Sequence, residues 1–183
     1  MENIKVLNNQ KILKNLIIIF AGSLILTISA KIKIPFYPVP MTMQTFVVLF
    51  LGIAFGYKLA LTTVGLYLFE GILGLPVFSN TPEKGIGLVY FTGPTMGYLI
   101  GFLLAAFFAG YLNFKKGIFV IFLKLIFSVS FIYLFGLFWL GIIIGWDKPV
   151  IKLGALPFLY AEIFKILLLT LLTKNILKLR KFI

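Results

Sequence analysis

The stretch VIKLGALPFLYAEIFKILLLTLLT, residues Val150–Thr173, decides how this chain folds. A run of this length and apolarity reads as a membrane-spanning helix. Well inside it, beyond Lys152 near its start, stand two charges, Glu162 and Lys165. Three positions apart on a helix they share a face, so carboxylate and ammonium can lie side by side and partly neutralise each other. Hydrocarbon cannot solvate either group, and charges kept at depth are functional-site candidates by default. The plainer alternative is a self-neutralising ion pair packed against neighbouring helices. The favoured reading is a polar pocket or pathway inside a membrane protein.

Composition points the same way. Of 183 residues, 61% are hydrophobic and 21 are Phe, whereas soluble domains average roughly 45–50% apolar residues. The length suits a single membrane domain, 1–183, of about six helices, leaving no room for a second, soluble domain. His and Cys are both absent, which excludes disulfides, thiolate metal sites, Cys or His nucleophiles and His proton relays. No cofactor is implied. No GxxxxGK[ST] loop occurs, so the chain does not energise transport through ATP by itself. The formal charge of +12 does not read as a nucleic-acid surface, because the Lys residues flank apolar spans instead of clustering on a soluble face.

Six spans follow along the chain: 16–30, 41–57, 59–75, 94–114, 117–145 and 150–173. The first is flanked by Lys14 and by Lys31 and Lys33. Pro35, Pro38 and Pro40 break the chain before Thr42-Met43-Gln44-Thr45 opens the second. Gly56-Tyr57-Lys58 interrupts the next apolar stretch, so two helices are preferred over one from 46 to 75. Residues 76–93 form the longest interruption, and Pro94 suits a helix start. Gly97, Gly101, Ala105 and Ala109, four residues apart, let a neighbouring helix approach closely. Lys115-Lys116-Gly117 reads as a tight turn. With both termini inside, the inner segments carry ten basic residues and the outer loops five, which favours cytoplasmic termini and places the long loop between helices 3 and 4 outside.

Apart from the ion pair, Glu70 is an acid in an apolar run, readable equally as a site residue or as a solvated helix end. Asn80 reads as turn chemistry when taken alone, and Thr42 and Gln44 as helix caps.

Several segments carry more than composition. Val39-Pro40-Met41-Thr42-Met43-Gln44-Thr45, Gly74-Leu75-Pro76-Val77-Phe78, the run from Gly93-Pro94-Thr95 to Phe102, and Leu156-Pro157-Phe158 to Lys165 match, in order and spacing, the BioY family. The chain thus resembles the biotin-specific S components of energy-coupling factor (ECF) transporters over roughly residues 16–175. Two departures stand out. Ala161-Glu162 replaces the family's usual Gly-Asp, lengthening the acid by one methylene. The small-residue motif on the first helix is imperfect, with Ile25 four residues after Ala21 and Ser23, Thr27 and Ala30 nearby.

The resemblance implies an all-α, six-helix protein of the prokaryotic cytoplasmic membrane that captures biotin at its outer face. It implies no enzyme activity, and it implies partners: a transmembrane coupling subunit (EcfT-like) and two cytoplasmic ATPases (EcfA-like). Expected substrate contacts are Glu162, Lys165, Asn80, Gln44 and Tyr160, with Phe78, Tyr90 and Tyr98 as walls and residues 76–93 as a lid. Which end of biotin meets Lys165 is open, and Lys84 is a rival for the carboxylate. The alternatives are an S component for another vitamin and a structural membrane subunit that binds nothing.

Overall fold

Backbone N–H and C=O groups in a bilayer must be satisfied within the chain, and helices do so locally. The computed structural model describes residues 2–114 and 117–182. Its helices are α1 (Glu2–Lys31), α2 (Gln44–Ile72), α3 (Met96–Tyr111), α4 (Ile118–Ile144), α5 (Val150–Gly154) and α6 (Leu159–Ile176). Short 3₁₀ turns cover Gly87–Thr92, Leu156–Phe158 and Leu177–Phe182. Two-residue strands, β1 (Lys33–Ile34) and β2 (Met41–Thr42), pair antiparallel and close a proline-containing loop between them. The turn expected at 115–117 rests on residues 115 and 116, which lie outside the described residues.

Length alone would make α2 a single 29-residue span. Its geometry does not allow that. Gly56 has φ 76° and ψ 170°, a conformation open essentially to glycine. Gln44 Nε2 also donates to Tyr67 Oη at 2.8 Å, across 23 positions of sequence; a straight helix would hold such residues about 34 Å apart. The element is a helical hairpin with arms 44–55 and 57–72. Six segments therefore cross the bundle: α1, the two arms of α2, α3, α4, and α5 continued by α6.

Other boundaries differ from the sequence reading for local reasons. α1 begins at Glu2, because nothing in the polar opening breaks a helix ahead of the apolar span at 16–30. The span 150–173 is not continuous. Pro157 lies in a 3₁₀ turn, and Ala155 leaves helical geometry at φ −133°, ψ −52°, so α6 restarts at Leu159.

Lys11, Asn15, Gly56, Gly110 and Arg180 border one groove, which gathers both terminal regions and the α2 turn at one end of the bundle, the termini end. At the opposite, loop end, Lys31 Nζ donates to the carbonyls of Phe78 and Thr81 at 2.8 and 3.2 Å. α3 is the central helix. A Cβ on Gly101 would lie 2.5 Å from Ile132 Cα of α4, so the small-residue row admits α4 at backbone contact. Further along the row, Ala109 packs on Gly52 of the first α2 arm. Leu49, Ile53, Val64, Leu125, Ile132 and Leu169 fill the interior, while Phe20, Phe119, Phe138 and Leu171 stay exposed on the periphery. A lipid bilayer is the solvent that suits such a surface.

Candidate functional site

The break before α6 is what places the ion pair. Glu162 falls in the first turn of α6, about 4.5 Å along the axis from its start, where the helix dipole favours a carboxylate. Lys165 follows one turn on. Both are buried, at 4% and 5% exposure, and Lys165 Nζ stands 2.9 Å from Glu162 Oε2.

The hydrogen-bond inventory divides the labour between them. An ammonium has three hydrogens to give. Lys165 donates to Glu162 Oε2, to Thr45 Oγ1 at 2.6 Å and to the Thr42 carbonyl at 3.1 Å. All three hydrogens have partners. Glu162 Oε2 also accepts from Thr45 Oγ1 and from Tyr133 Oη, each at 3.1 Å. Glu162 Oε1 is buried and has no partner among the described residues. Leaving a buried acceptor unmatched costs about 1–3 kcal/mol, and more when it is charged. Such an atom marks a position where a water or a bound molecule can supply the donor.

Around the pair lies a cavity of about 60 Å³ between the β1–β2 hairpin, α2, α3, α4 and α6. It has room for a handful of waters. Tyr98, Leu99, Phe102, Ile132, Tyr133 and Phe158 supply apolar and aromatic walls. Ser79, Tyr90 and Thr95 close it towards the loop end. The Ser79 hydroxyl is the other buried polar group here without a partner among the described residues. Tyr90 Oη donates to the Ser79 carbonyl at 2.7 Å. Burial pushes the Tyr90 phenol above its ordinary pKa, so it stays a donor at neutral pH. Tyr98 Oη donates to the Gly154 carbonyl at 2.8 Å, tying α3 to α5 across the top of the site.

Of the eight residues expected from sequence, Glu162, Lys165, Gln44, Tyr90 and Tyr98 line this cavity. Gln44 is held through Tyr67, which donates to the Val77 carbonyl at 3.1 Å. Phe78 sits behind the wall, buried and stacked on Tyr90 with ring centroids 4.8 Å apart. Asn80 is displaced from the cavity. It adopts a left-handed φ of 59°, accepts from Lys33, and borders a separate cavity of about 20 Å³ with Lys84, Tyr90 and Thr95. Tyr160 points away, at 89% exposure: two residues before Glu162 is about 200° around the helix.

Thr45, Tyr133, Phe158 and Ser79 line the cavity and were not among the candidates from sequence. Thr45 had a usable signal, since it adjoins Gln44 in the quoted motif. Tyr133, within an apolar span crowded with aromatics, had none. Glu70, open between two readings, accepts from Ser23 Oγ at the α1–α2 seam, outside the cavity.

A helical membrane bundle with a buried, partly unsatisfied polar site beneath a loop belongs to the class of proteins that hold a small ligand within the bilayer. The BioY family model matches residues 2–182, and the chain belongs to that family. The biotin transporter BioY of Thermotoga maritima is 35% identical over 156 residues, covering 85% of this chain and 90% of its own length. A probable biotin transporter BioY of Pyrococcus horikoshii is 37% identical over 139 residues, covering 76% and 81%. Among solved structures, the S-component for biotin from an ECF-type ABC transporter superposes with TM-score 0.77 at 26% identity, covering 93% of this chain and 94% of that one.

Proposed function

We infer that this chain is the biotin-binding S component of an ECF-type transporter: a substrate-binding subunit, not an enzyme. Family membership, the biotin transporters among its relatives and the likeness to a biotin S-component support that reading. The observation that carries the site assignment is the pairing of an unsatisfied Glu162 Oε1 with an ammonium whose three hydrogens are all in use.

Biotin's ureido N–H groups donate to Glu162 Oε1. Its thioether ring lies among Tyr98, Phe102, Ile132 and Phe158, and its acid tail points towards the loop end, where the Ser79 hydroxyl can donate. Lys165 is a positioning residue that fixes Glu162 and Thr45. Residues 76–93 act as the lid. The cavity of about 60 Å³ widens to take a bicyclic ligand with a tail, and the lid opens to admit it.

The termini end faces the cytoplasm of a prokaryotic cell and the loop end faces outward. A transmembrane coupling subunit (EcfT-like) and two cytoplasmic ATPases (EcfA-like) supply the energy for release. The coupling subunit docks along the loop-end half of α1, whose Leu24 and Ile28 are exposed. Equilibrium dialysis of the purified chain against labelled biotin, thiamine and riboflavin tests the assignment. Biotin alone should be retained, and retention should fall at least tenfold in Glu162→Gln. Retention of thiamine or riboflavin in its place, or full biotin retention by the variant, would overturn it.

A further inference from the structure

The termini end carries a feature that biotin capture does not use. A groove of about 670 Å³ opens there, with Lys11 and Asn15 of α1, Tyr57 and Lys58 beside the α2 turn, Tyr111 of α3, and Arg180 on its walls. Among the described residues, three of those lining it are cations and none is an acid. Arg180 is only partly committed. Its Nε donates to the Ile53 carbonyl at 2.8 Å, and its Nη2 to the carbonyls of Gly52 and Gly110, each at 3.1 Å. Its other terminal nitrogen has no hydrogen bond among the described residues. Asn15 Oδ1 is buried and likewise without a partner among them.

The groove's height in the bundle is set by its neighbours. Tyr57, Phe107 and Tyr111 pack ring on ring beside it, with centroids 5.4–6.0 Å apart, and Tyr111 is exposed. Aromatic rings with polar tips collect where hydrocarbon meets headgroups. On α1, the exposed apolar side chains Leu16, Ile17 and Phe20 follow directly after Asn15. A cationic recess therefore adjoins an apolar helix face, a pairing that suits a molecule with a phosphate and an acyl chain. Free phosphate satisfies only the cations.

We propose that this groove binds the headgroup of an anionic glycerophospholipid from the leaflet at the termini end. Phosphate oxygens accept from Lys11, Lys58 and the unused Arg180 nitrogen. A headgroup hydroxyl donates to Asn15 Oδ1, and an acyl chain lies along the exposed face of α1. The assignment is independent of what the loop-end cavity holds.

Native mass spectrometry of the detergent-purified chain tests it, using phosphatidylglycerol, phosphatidylcholine and inorganic phosphate as separate additions. The chain should retain one phosphatidylglycerol at least tenfold more than phosphatidylcholine, and millimolar phosphate should not displace it. Lys11 and Lys58 are exposed, so the Lys11→Ala/Lys58→Ala variant should fold. It should bind biotin as before while its phosphatidylglycerol retention drops to the phosphatidylcholine level. Equal retention of the two lipids, or unchanged retention by the variant, overturns the proposal. So does displacement by phosphate, which marks a free-anion site. Loss in the variant of coupling-subunit association with lipid retention intact would assign the groove to a protein partner and overturn it as well.

Discussion

At the scale of single residues, the site turns on how one carboxylate is shared. Three donors converge on Glu162 Oε2, while Oε1 is buried without a partner among the described residues. Removing one member of a buried ion pair strands the other and costs about 3–5 kcal/mol, whereas removing both often costs less. Glu162→Ala should therefore lower the thermal midpoint of the detergent-purified chain more than Glu162→Ala/Lys165→Ala does, and neither variant should bind biotin in a calorimetric titration. A double variant less stable than the single one would mean the pair contributes to stability outright. Tyr133→Phe deletes one donor to the carboxylate, about 1.5–3 kcal/mol for a bond to a charged group, and should weaken biotin binding roughly tenfold or more. Tyr160→Ala should leave affinity unchanged. Tyr160 sits in the same quoted motif as Glu162, so adjacency in sequence made it a candidate. Rotation about α6 removes it, and sequence adjacency does not encode that rotation until the helix start is known. Asn80 lies outside the cavity lining for an equally non-local reason: its side chain pairs with Lys33, 47 positions away.

Among the elements, the α2 hairpin depends on a residue from the far end of the chain. The carbonyls of Gly52 and Ile53 lie in the last turn before the break at Gly56, where a helix runs short of N–H donors. Arg180, the single Arg of the sequence, supplies donors to both and to Gly110, binding the turn to α3. A planar guanidinium can serve three carbonyls at once, which an ammonium on a flexible stem does poorly. Each stranded carbonyl costs about 1–3 kcal/mol when buried. Stability measured by thermal unfolding should accordingly fall in the order wild type, Arg180→Lys, Arg180→Ala, with the alanine variant losing about 2–3 kcal/mol. Equal midpoints for all three would show that water in the adjacent groove replaces the side chain. The number of crossing segments was legible in the sequence because hydropathy and the Gly-Tyr-Lys interruption are local signals. Arg180 was not legible in that role. In sequence it is one more cation of a basic tail, and only the folded chain brings it to a turn 124 positions earlier. The break ahead of α6 lies between these cases: Pro157 marks it, but its consequence, a carboxylate in a first helical turn, is geometric.

Across the whole molecule the two ends differ in how they are held. The termini end is bound by a three-carbonyl clasp around a glycine turn. The loop end is fastened from α1 and the β1–β2 hairpin by side chains alone. Lys31 donates to the Phe78 and Thr81 carbonyls and to Thr81 Oγ1 at 3.1 Å. Lys33 reaches Asn80, and Lys84 lies 5.9 Å from the Tyr37 ring centroid. None of these contacts involves a residue that lines the cavity, so they stabilise closed states with and without ligand alike. A contact present equally in both states changes how often the lid opens without changing the balance between them. Loss of about 1.4 kcal/mol from the closed state corresponds to a tenfold shift in the opening equilibrium, and one charge-assisted hydrogen bond contributes about that much. Lys31→Met should therefore raise the association and dissociation rates of biotin together, each about tenfold, with less than a twofold change in Kd. Trp139 reports the motion, because its Nε1 donates to the Gly93 carbonyl at 2.9 Å, at the boundary between lid and α3. Stopped-flow fluorescence on a Trp146→Phe background isolates that signal. A tenfold weaker Kd with unchanged association would place Lys31 in contact with the ligand, and unchanged rates would mean that some step other than lid opening limits loading.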